Sequence, residues 1–388
     1  GGCTLPGADG PLFTVPAGQM AVGMGIHGEQ GIETVPLPSA DEIARLLVER
    51  LLAELPDDVP EARGQRAAVI VNGLGSVKGE ELFVIFAAVR RLLDEAGVAL
   101  VDPEVGEFAT SFEMSGLSLT LAWLDDELEE AWRSAAYTPA YRKGAVVASG
   151  ERADITADDA ASAIPEASAS SRAAAVTVAA VIDAIRDGID REAEELGRLD
   201  AIAGDGDHGI GMQRGARAAA SAAGEARDAG AGAGTVLSLA GDAWALRAGG
   251  TSGALWGSGL RAAGSRLGDE KERDATDIAD AVTAACTAIQ TMGGAESGDK
   301  TLVDALVPFA QTLAARAGDG ESLAAAWEAA AAAATAAAAE TAQLRPRLGR
   351  ARPHVEASLG TPDPGAISFA LAMTAAGQIF TTNNGSKA

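Results

Sequence analysis

The sequence predicts a chain in two parts, a mixed α/β region followed by an all-α region. Over residues 1–144, short runs rich in Val, Ile, Leu and Phe alternate with helical stretches, whereas after residue 172 apolar residues recur at helical spacing alone. Aromatic residues make up only 4% of the 388 residues, so alanine and the aliphatic side chains must fill most of the core. Small side chains let helix axes approach closely, which favours packed helices in the second part.

The first part, residues 1–144, contains both strand and helix patterns. Residues 39–55 and 79–96 carry apolar side chains at helical spacing, and Ser39 is a candidate N-cap with Glu42 at the matching capping-box position. The runs predicted as strands are residues 13–15, 22–26, 67–71 and 117–124.

The second part, residues 173–388, is predicted to be helical throughout. The stripe of Ile278, Val282, Ala285 and Ile289 is representative of its spacing. Residues 145–172, rich in Ala, Ser, Asp and Glu, are predicted to form a linker. The eight predicted helices cover residues 173–196, 209–223, 235–247, 253–266, 275–291, 301–317, 321–342 and 365–379.

The charge and the cysteine content restrict the class of protein. A net charge of −25 without a concentrated basic run argues against nucleic-acid binding, and an anionic ligand would need a metal or main-chain amides to screen it. The two cysteines, Cys3 and Cys286, lie far apart in sequence and do not have a metal-binding spacing. They do not predict a disulfide scaffold, which favours a reducing cytoplasm. The alanine-rich residues 324–342 are too weakly apolar to predict a membrane span. The chain opens with Gly1 rather than Met and without a recognisable signal peptide, so we expect it to derive from a longer protein.

Three carboxylates, Asp200, Asp205 and Asp207, lie within eight residues between the first two predicted helices of the second part. The glycines between them allow a turn tight enough to bring the carboxylates together. Converging carboxylates repel one another unless a cation lies among them, and hard oxygen ligands suit Mg²⁺. A solvated acidic turn or a helix N-cap is the alternative that the residues alone leave open.

Three glycine-rich breaks follow in the same region, at residues 249–253, 293–301 and 361–366. Free amides and hydroxyls bind phosphate where a helix begins at such a break, as is predicted at Thr251 and Ser252. Each break alone is equally an ordinary helix connection. Together with the carboxylates they predict a nucleotide site on a helical scaffold, with a metal at the phosphates and Arg350 supplying positive charge.

The runs LDAIAGDGDHGIGMQRG, GGTSGALWG and SGDKTLVDAL, with GRA ahead of DPGA, resemble the nucleotide-binding domain of the dihydroxyacetone kinase family. The resemblance implies an eight-helix barrel in which Asp200, Asp205 and Asp207 ligate two Mg²⁺ ions that bridge the nucleotide phosphates. It also implies that the following residues line the nucleotide pocket: His208, Gly209, Ile210, Gly211, Thr251, Ser252, Gly293, Leu302, Arg350, Asp363, Pro364 and Gly365.

The first part resembles the C-terminal portion of the same family's substrate-binding domain. The matching runs are GMGIHGE from Gly23, VNGLG from Val71 and TSFEMSGLSLTL from Thr110. In the family, the histidine of the first run forms a covalent hemiaminal with the substrate carbonyl, and this role falls on His27. On the residues alone, a histidine hydrogen-bonded in a turn is the alternative.

Two positions depart from the family pattern and bear on which ketose fits. Gln30 stands where proline is usual, and Glu113 replaces the usual aspartate. The family's catalytic acid/base pair belongs to a segment that would precede residue 1.

The resemblance implies an ATP-dependent kinase that phosphorylates the terminal hydroxyl of a short ketose, dihydroxyacetone or erythrulose, held on His27. ATP and two Mg²⁺ ions are the implied cofactors, and a cytoplasmic homodimer that binds neither nucleic acid nor membrane is the expected form. Two alternatives stay open: an ADP-carrying relay protein of the phosphotransferase type, and a non-catalytic fragment that senses ketose or nucleotide. Cyclisation of FAD is a further activity of some relatives.

Overall fold

The chain forms two units, Gly1–Asp154 and Ile155–Ala388. The computed structural model describes residues 2, 4, 10–11, 13–25, 31–145, 164–349 and 351–384. Within these residues the first unit mixes strands with helices and the second is helical, as the sequence predicts. The domain limits at residues 144 and 172 remain predictions.

The first unit is built on a four-stranded sheet around β3. β6 pairs antiparallel along nearly the whole of β3, while β4 and β5 pair parallel with its beginning and its end. β1 pairs with β2, and β7 with β8, in separate antiparallel ribbons. The elements are β1 (Gln19–Val22), β2 (Glu33–Pro36), α1 (Ala40–Ala53), β3 (Arg66–Gly73), α2 (Gly79–Ala96), β4 (Ala99–Leu100), β5 (Glu104–Gly106), β6 (Leu117–Trp123), α3 (Asp126–Arg133), β7 (Ala136–Tyr137) and β8 (Arg142–Lys143).

Helices α1 and α2 bury their apolar faces in the core of this unit. The predicted capping box at α1 is confirmed, because the Ser39 hydroxyl accepts from the Glu42 amide and the Glu42 carboxylate accepts from the Ser39 amide at 2.8 Å. α2 has the predicted bounds. Val48 from α1 and Leu82 and Val89 from α2 share one apolar cluster with the alternating buried residues of β3.

Two strand predictions in the first unit are wrong. Residues 13–15 belong to none of the paired strands, and the strand predicted over residues 22–26 lies earlier, at Gln19–Val22. Gly23 has a positive φ of 73°, which ends this strand immediately after Val22. Residue 26 lies outside the described part of the chain.

The second unit contains all eight predicted helices within its described residues. They are α4 (Ala169–Asp200), α5 (His208–Asp228), α6 (Ala233–Ala248), α7 (Gly250–Leu267), α8 (Ala275–Gly293), α9 (Val303–Gly318), α10 (Leu323–Glu340) and, after the short α11 (Val355–Ser358), α12 (Pro364–Asn384). α4 begins at Ala169 rather than residue 173, because the Ser168 hydroxyl accepts from the Ser171 amide and caps it. The last four residues of the predicted linker, 169–172, are therefore helical.

These eight long helices pack in chain order. Each long helix contacts the next one along the chain, and the last, α12, contacts both α10 and the first, α4. The series of helix contacts therefore closes on its first member. Alanine dominates the buried positions, with Trp244 and Trp256 stacked at 4.8 Å between ring centroids. No helix among the described residues combines the length and hydropathy of a membrane span.

Candidate nucleotide and metal site

The acidic loop joins α4 to α5 and brings its three carboxylates together. Asp200 ends α4, and Asp205 and Asp207 follow in the turn that leads to α5. One oxygen from each of the three lies within 4.8 Å of the others. Gly206 makes this turn possible, because its φ of 77° is a conformation that favours glycine.

The chemistry of this cluster fits a hard divalent cation. Asp200 and Asp205 are half-buried and Asp207 is exposed, so an ion among them would keep access to solvent and to a ligand. Carboxylate oxygens are the donors that Mg²⁺ prefers, and a cation would offset the mutual repulsion of the three charges. The cluster is therefore the candidate metal site of the described chain.

A cavity of about 390 Å³ opens beside the acidic loop, within the size range of small-ligand sites. The wall includes most of the residues that the sequence assigns to metal or nucleotide. Those that line it are Asp200, Asp205, Asp207, His208, Gly211, Thr251, Ser252, Gly293, Leu302, Asp363, Pro364 and Gly365.

Two assigned residues that the structure describes, Gly209 and Ile210, are not part of this wall. Gly209 packs against α4, where a Cβ would meet the Ala193 carbonyl oxygen at 1.8 Å, and the Ile210 side chain is exposed. Arg350 and His27 lie outside the described residues, so their roles remain predictions.

Four helices begin at the cavity wall. The first turns of α5, α7 and α12 contribute His208, Thr251 and Gly365, and Leu302 and Val303 stand at the start of α9. Helices that pack in chain order through short connections alternate in direction, so every second one begins at the same end of the unit. The positive end of the helix dipole favours anions at each of these termini. The arrangement can therefore hold phosphate groups next to a cation.

His208 and Asp363 are half-buried at the starts of α5 and α12. Burial lowers the pKa of the His208 imidazole to about 4, so the ring is neutral at pH 7, although its hydrogen bond to the Pro364 backbone opposes the shift. Burial likewise raises the pKa of Asp363 to about 7, against the effect of the Ala366 amide, which donates to the carboxylate at 2.7 Å.

The sequence did not single out Lys300 and Asp304 as functional residues. Both are buried, with 4% and 8% of their surface exposed. Lys300 lines the cavity, and its ammonium donates to two backbone carbonyls. Asp304 accepts from the Gly298 and Thr301 amides. The SGDKTLVD run, which places charged residues at the start of an apolar helix, could have indicated them. Residue spacing alone does not show that the lysine ammonium is buried.

In the first unit, Asn72 organises the loop before the TSFEMSG run. Its side-chain oxygen accepts from the Phe108 and Ala109 amides at 2.7 and 2.9 Å, and its amide donates to the Ala109 carbonyl at 2.8 Å. Gly75 allows the TSFEMSG run to lie close to the backbone of the VNGLG run, since a Cβ at Gly75 would meet the Phe112 carbonyl oxygen at 1.9 Å. The VNGLG run thus fixes the loop that leads into the family's third motif.

Comparison with known proteins places these features in a family. Residues 1–140 match the Dak1 domain and residues 202–378 match the DAK2 domain. The chain is 54% identical over 382 residues to the L-erythrulose kinase of Pectobacterium atrosepticum, covering 98% of this chain and 65% of that protein. It is 51% identical over 376 residues to the D-erythrulose kinase of Mycolicibacterium smegmatis, covering 95% and 64%. It is 33% identical over 384 residues to the triokinase/FMN cyclase of Rattus norvegicus, covering 98% and 65%.

The chain spans less than two thirds of the length of these relatives. Within that span, both of its units match the domains that the sequence motifs indicated. The chain belongs to the dihydroxyacetone kinase family.

Proposed function

We propose that the protein is an ATP-dependent kinase that transfers the γ-phosphoryl group of ATP to the terminal hydroxyl of a short ketose. The observation that carries the proposal is the meeting of three carboxylates and four helix N-termini at one cavity. Phosphoryl transfer depends mainly on positioning and on charge neutralisation, and these groups supply both. The similarity to erythrulose kinases over nearly the whole chain supports the same reaction class.

Asp200, Asp205 and Asp207 would hold two Mg²⁺ ions, the number that the family resemblance implies. When bound, the ions would neutralise charge on the nucleotide phosphates. The chain's own part is to hold the three carboxylates together before the ligand arrives. The close placement of their oxygens, within 4.8 Å, supports this role.

The helix starts around the cavity would hold the nucleotide. Amides at the start of α5 and the hydroxyls of Thr251 and Ser252 would contact the phosphates, and the apolar side chains of Leu255 and Leu302 give a surface suited to a base. We infer that the eight long helices form the barrel that the family resemblance implies. The circular order of helix contacts supports this inference.

His27 would hold the ketose as a hemiaminal, as the resemblance implies. In that adduct the imidazole nitrogen adds to the ketone carbon and the carbonyl oxygen takes up a proton. Polyols have no carbonyl to form the adduct, so the histidine would select ketoses. Among ketoses we propose erythrulose, because the erythrulose kinases are 54% and 51% identical to this chain and the triokinase only 33%. A cytoplasmic homodimer is proposed on the family resemblance alone.

The test measures ADP release from ATP and Mg²⁺ by the intact protein with L-erythrulose, D-erythrulose, dihydroxyacetone or no ketose. We expect release that depends on ketose, is fastest with one erythrulose enantiomer, and is lost in Asp205→Asn/Asp207→Asn. The matched control is Asp228→Asn, an exposed carboxylate at the other end of α5, which should behave as wild type. Ketose-independent release, or bound ADP that does not exchange with ATP, would refute the proposal; the second result would favour a phosphoryl relay.

A further inference from the structure

The ammonium of Lys300 joins two distant points of the chain. It donates to the Ser358 carbonyl oxygen at 2.7 Å and to the Leu344 carbonyl oxygen at 3.2 Å. The described residues between these points, 344–349 and 351–358, are here named the strap. A single buried side chain therefore binds both ends of the strap.

The strap forms part of the cavity wall. Leu348, Gly349, Ala351 and Ser358 all line the cavity. The strap also has two ion pairs: Arg345 with Glu356 at 3.2 Å, and Arg347 with Asp299 at 3.7 Å. The two arginine side chains are 64% and 73% exposed. Exposed pairs of this kind contribute little to stability, whereas hydrogen bonds from a buried charged donor are stronger. Of the three cations Lys300, Arg345 and Arg347, Lys300 is the buried one.

The backbone at Lys300 indicates that its side chain is needed there. Lys300 has a φ of 63°, a left-handed conformation that glycine adopts more easily. Asp304 fixes this turn by accepting from the Thr301 amide at 2.7 Å and the Gly298 amide at 2.5 Å. A residue other than glycine keeps such a conformation where the surrounding structure fixes it, and positions of this kind are concentrated at functional sites.

Burial and the carboxylate of Asp363 act in opposite directions on the pKa of the Lys300 ammonium. Burial lowers the pKa of Lys300, and the nearby Asp363 carboxylate opposes that shift. Asp363 stands at the start of α12 and lines the same cavity. Lys300 therefore lies between the strap and the predicted nucleotide-binding residue.

We propose that Lys300 is a positioning residue that binds both ends of the strap and so holds the nucleotide cavity in its binding shape before the nucleotide arrives. That the ligand is a nucleotide rests on the proposed function. That Lys300 anchors the strap rests on the hydrogen bonds of its ammonium. Lys300 acts through the strap and is not assigned a contact with the reacting atoms.

The test compares Lys300→Gly and Lys300→Met with wild type and with the control Arg345→Ala. Lys300→Gly relieves the left-handed backbone while it removes the ammonium, so it separates the side chain's role from that of the turn. The first measurement is amide hydrogen exchange without nucleotide at Arg347, His354 and Leu359, whose amides are hydrogen-bonded in and beside the strap. The second is calorimetric affinity for ADP with Mg²⁺.

We expect both Lys300 variants to exchange strap amides at least tenfold faster, to keep the protection of α5 and α7, and to bind ADP with Mg²⁺ at least tenfold more weakly. Arg345→Ala should match wild type in both measurements. Unchanged strap exchange in Lys300→Gly would overturn the proposal, as would faster exchange with unchanged ADP affinity. If wild type itself fails to bind ADP, the proposed function fails, and the claim that Lys300 positions a nucleotide site falls with it, while the exchange data separately test whether Lys300 anchors the strap.

Discussion

The imidazole Nε2 of His208 lies 2.9 Å from the Ser368 hydroxyl oxygen, across 160 residues of sequence. His208 is the first residue of α5, and Ser368 is fully buried in the first turns of α12. The same imidazole is hydrogen-bonded to the backbone of Pro364, where α12 begins. One neutral side chain therefore ties together two of the four helix starts around the cavity, which keeps their amides in a fixed relation.

Removal of one carboxylate from the acidic loop should stabilise the metal-free fold. Three charges within 4.8 Å repel one another, and each close pair costs about 1 kcal/mol or more. In EDTA, Asp205→Asn should therefore unfold a few degrees above wild type. Added Mg²⁺ should raise the unfolding temperature of wild type but not of the variant. Circular dichroism melts with Asp228→Asn as control check this; equal Mg²⁺ stabilisation of Asp205→Asn would contradict the metal assignment.

Two glycines of α5 should respond in opposite directions to alanine. In Gly209→Ala the new methyl would lie 1.8 Å from the Ala193 carbonyl oxygen, so α4 and α5 must separate and the variant should lose ~2 kcal/mol or more of stability. Gly224 has open space around it, and Gly224→Ala should gain about 0.5–1 kcal/mol from the better helix former. Urea denaturation gives both values. Similar changes in the free energy of unfolding for the two substitutions would contradict the close contact between α4 and α5.

Asn72 should control the order of the loop around Phe108. Asn72→Ala removes three hydrogen bonds at a position only 6% exposed, which should destabilise the first unit by about 1–3 kcal/mol. Asn72→Asp keeps the acceptor but loses the donor to Ala109, so it should fall between Ala and wild type. Amide exchange at Phe108 and Ala109 reports the loop directly. If the Phe108 and Ala109 amides exchange at the wild-type rate in Asn72→Ala, the role of Asn72 in ordering this loop is refuted.

The Tyr141 hydroxyl should titrate at unusually high pH. It donates to a Glu104 carboxylate oxygen at 2.6 Å, and this bond, with burial adding to it, raises the pKa of Tyr141 to about 12. Because the pKa in the folded state exceeds its ordinary value of 10, the stabilising contribution is complete below pH 10 and is lost as the pH rises through about 12. In a Tyr137→Phe background, where Tyr141 is the remaining tyrosine, ultraviolet difference absorbance follows this ionisation. Glu104→Gln should lower the Tyr141 pKa; no change would disprove the pairing.

The helices were the most predictable part of the fold. The spacing of apolar residues and the capping pair Ser39 and Glu42 gave α1 and α2 with bounds close to those observed, and all eight long helices of the second unit were found. A helix satisfies its backbone within one segment, so local sequence carries its signal. The two-residue strands β4, β7 and β8 depend on distant partners, and no local pattern marks them.

The candidate site was predictable where a motif was continuous in sequence. The acidic loop, Thr251 and Ser252, and the residues at 363–365 come to one cavity because the helices that carry them alternate in direction. Lys300 and its partners Leu344 and Ser358 were not predictable, because their contact joins segments 44 and 58 residues apart. His27 and Arg350 stay predictions from the family resemblance.

Calorimetric titration of ADP into the chain, with Mg²⁺ and then with EDTA, is the most direct test that the carboxylate cluster holds a metal for nucleotide binding. We expect one site whose affinity for ADP requires Mg²⁺ and is lost in Asp205→Asn/Asp207→Asn but kept in Asp228→Asn. The first two carboxylates belong to the cluster, whereas Asp228 lies at the far end of α5. Binding of equal strength in EDTA, or in the double variant, would contradict this expectation.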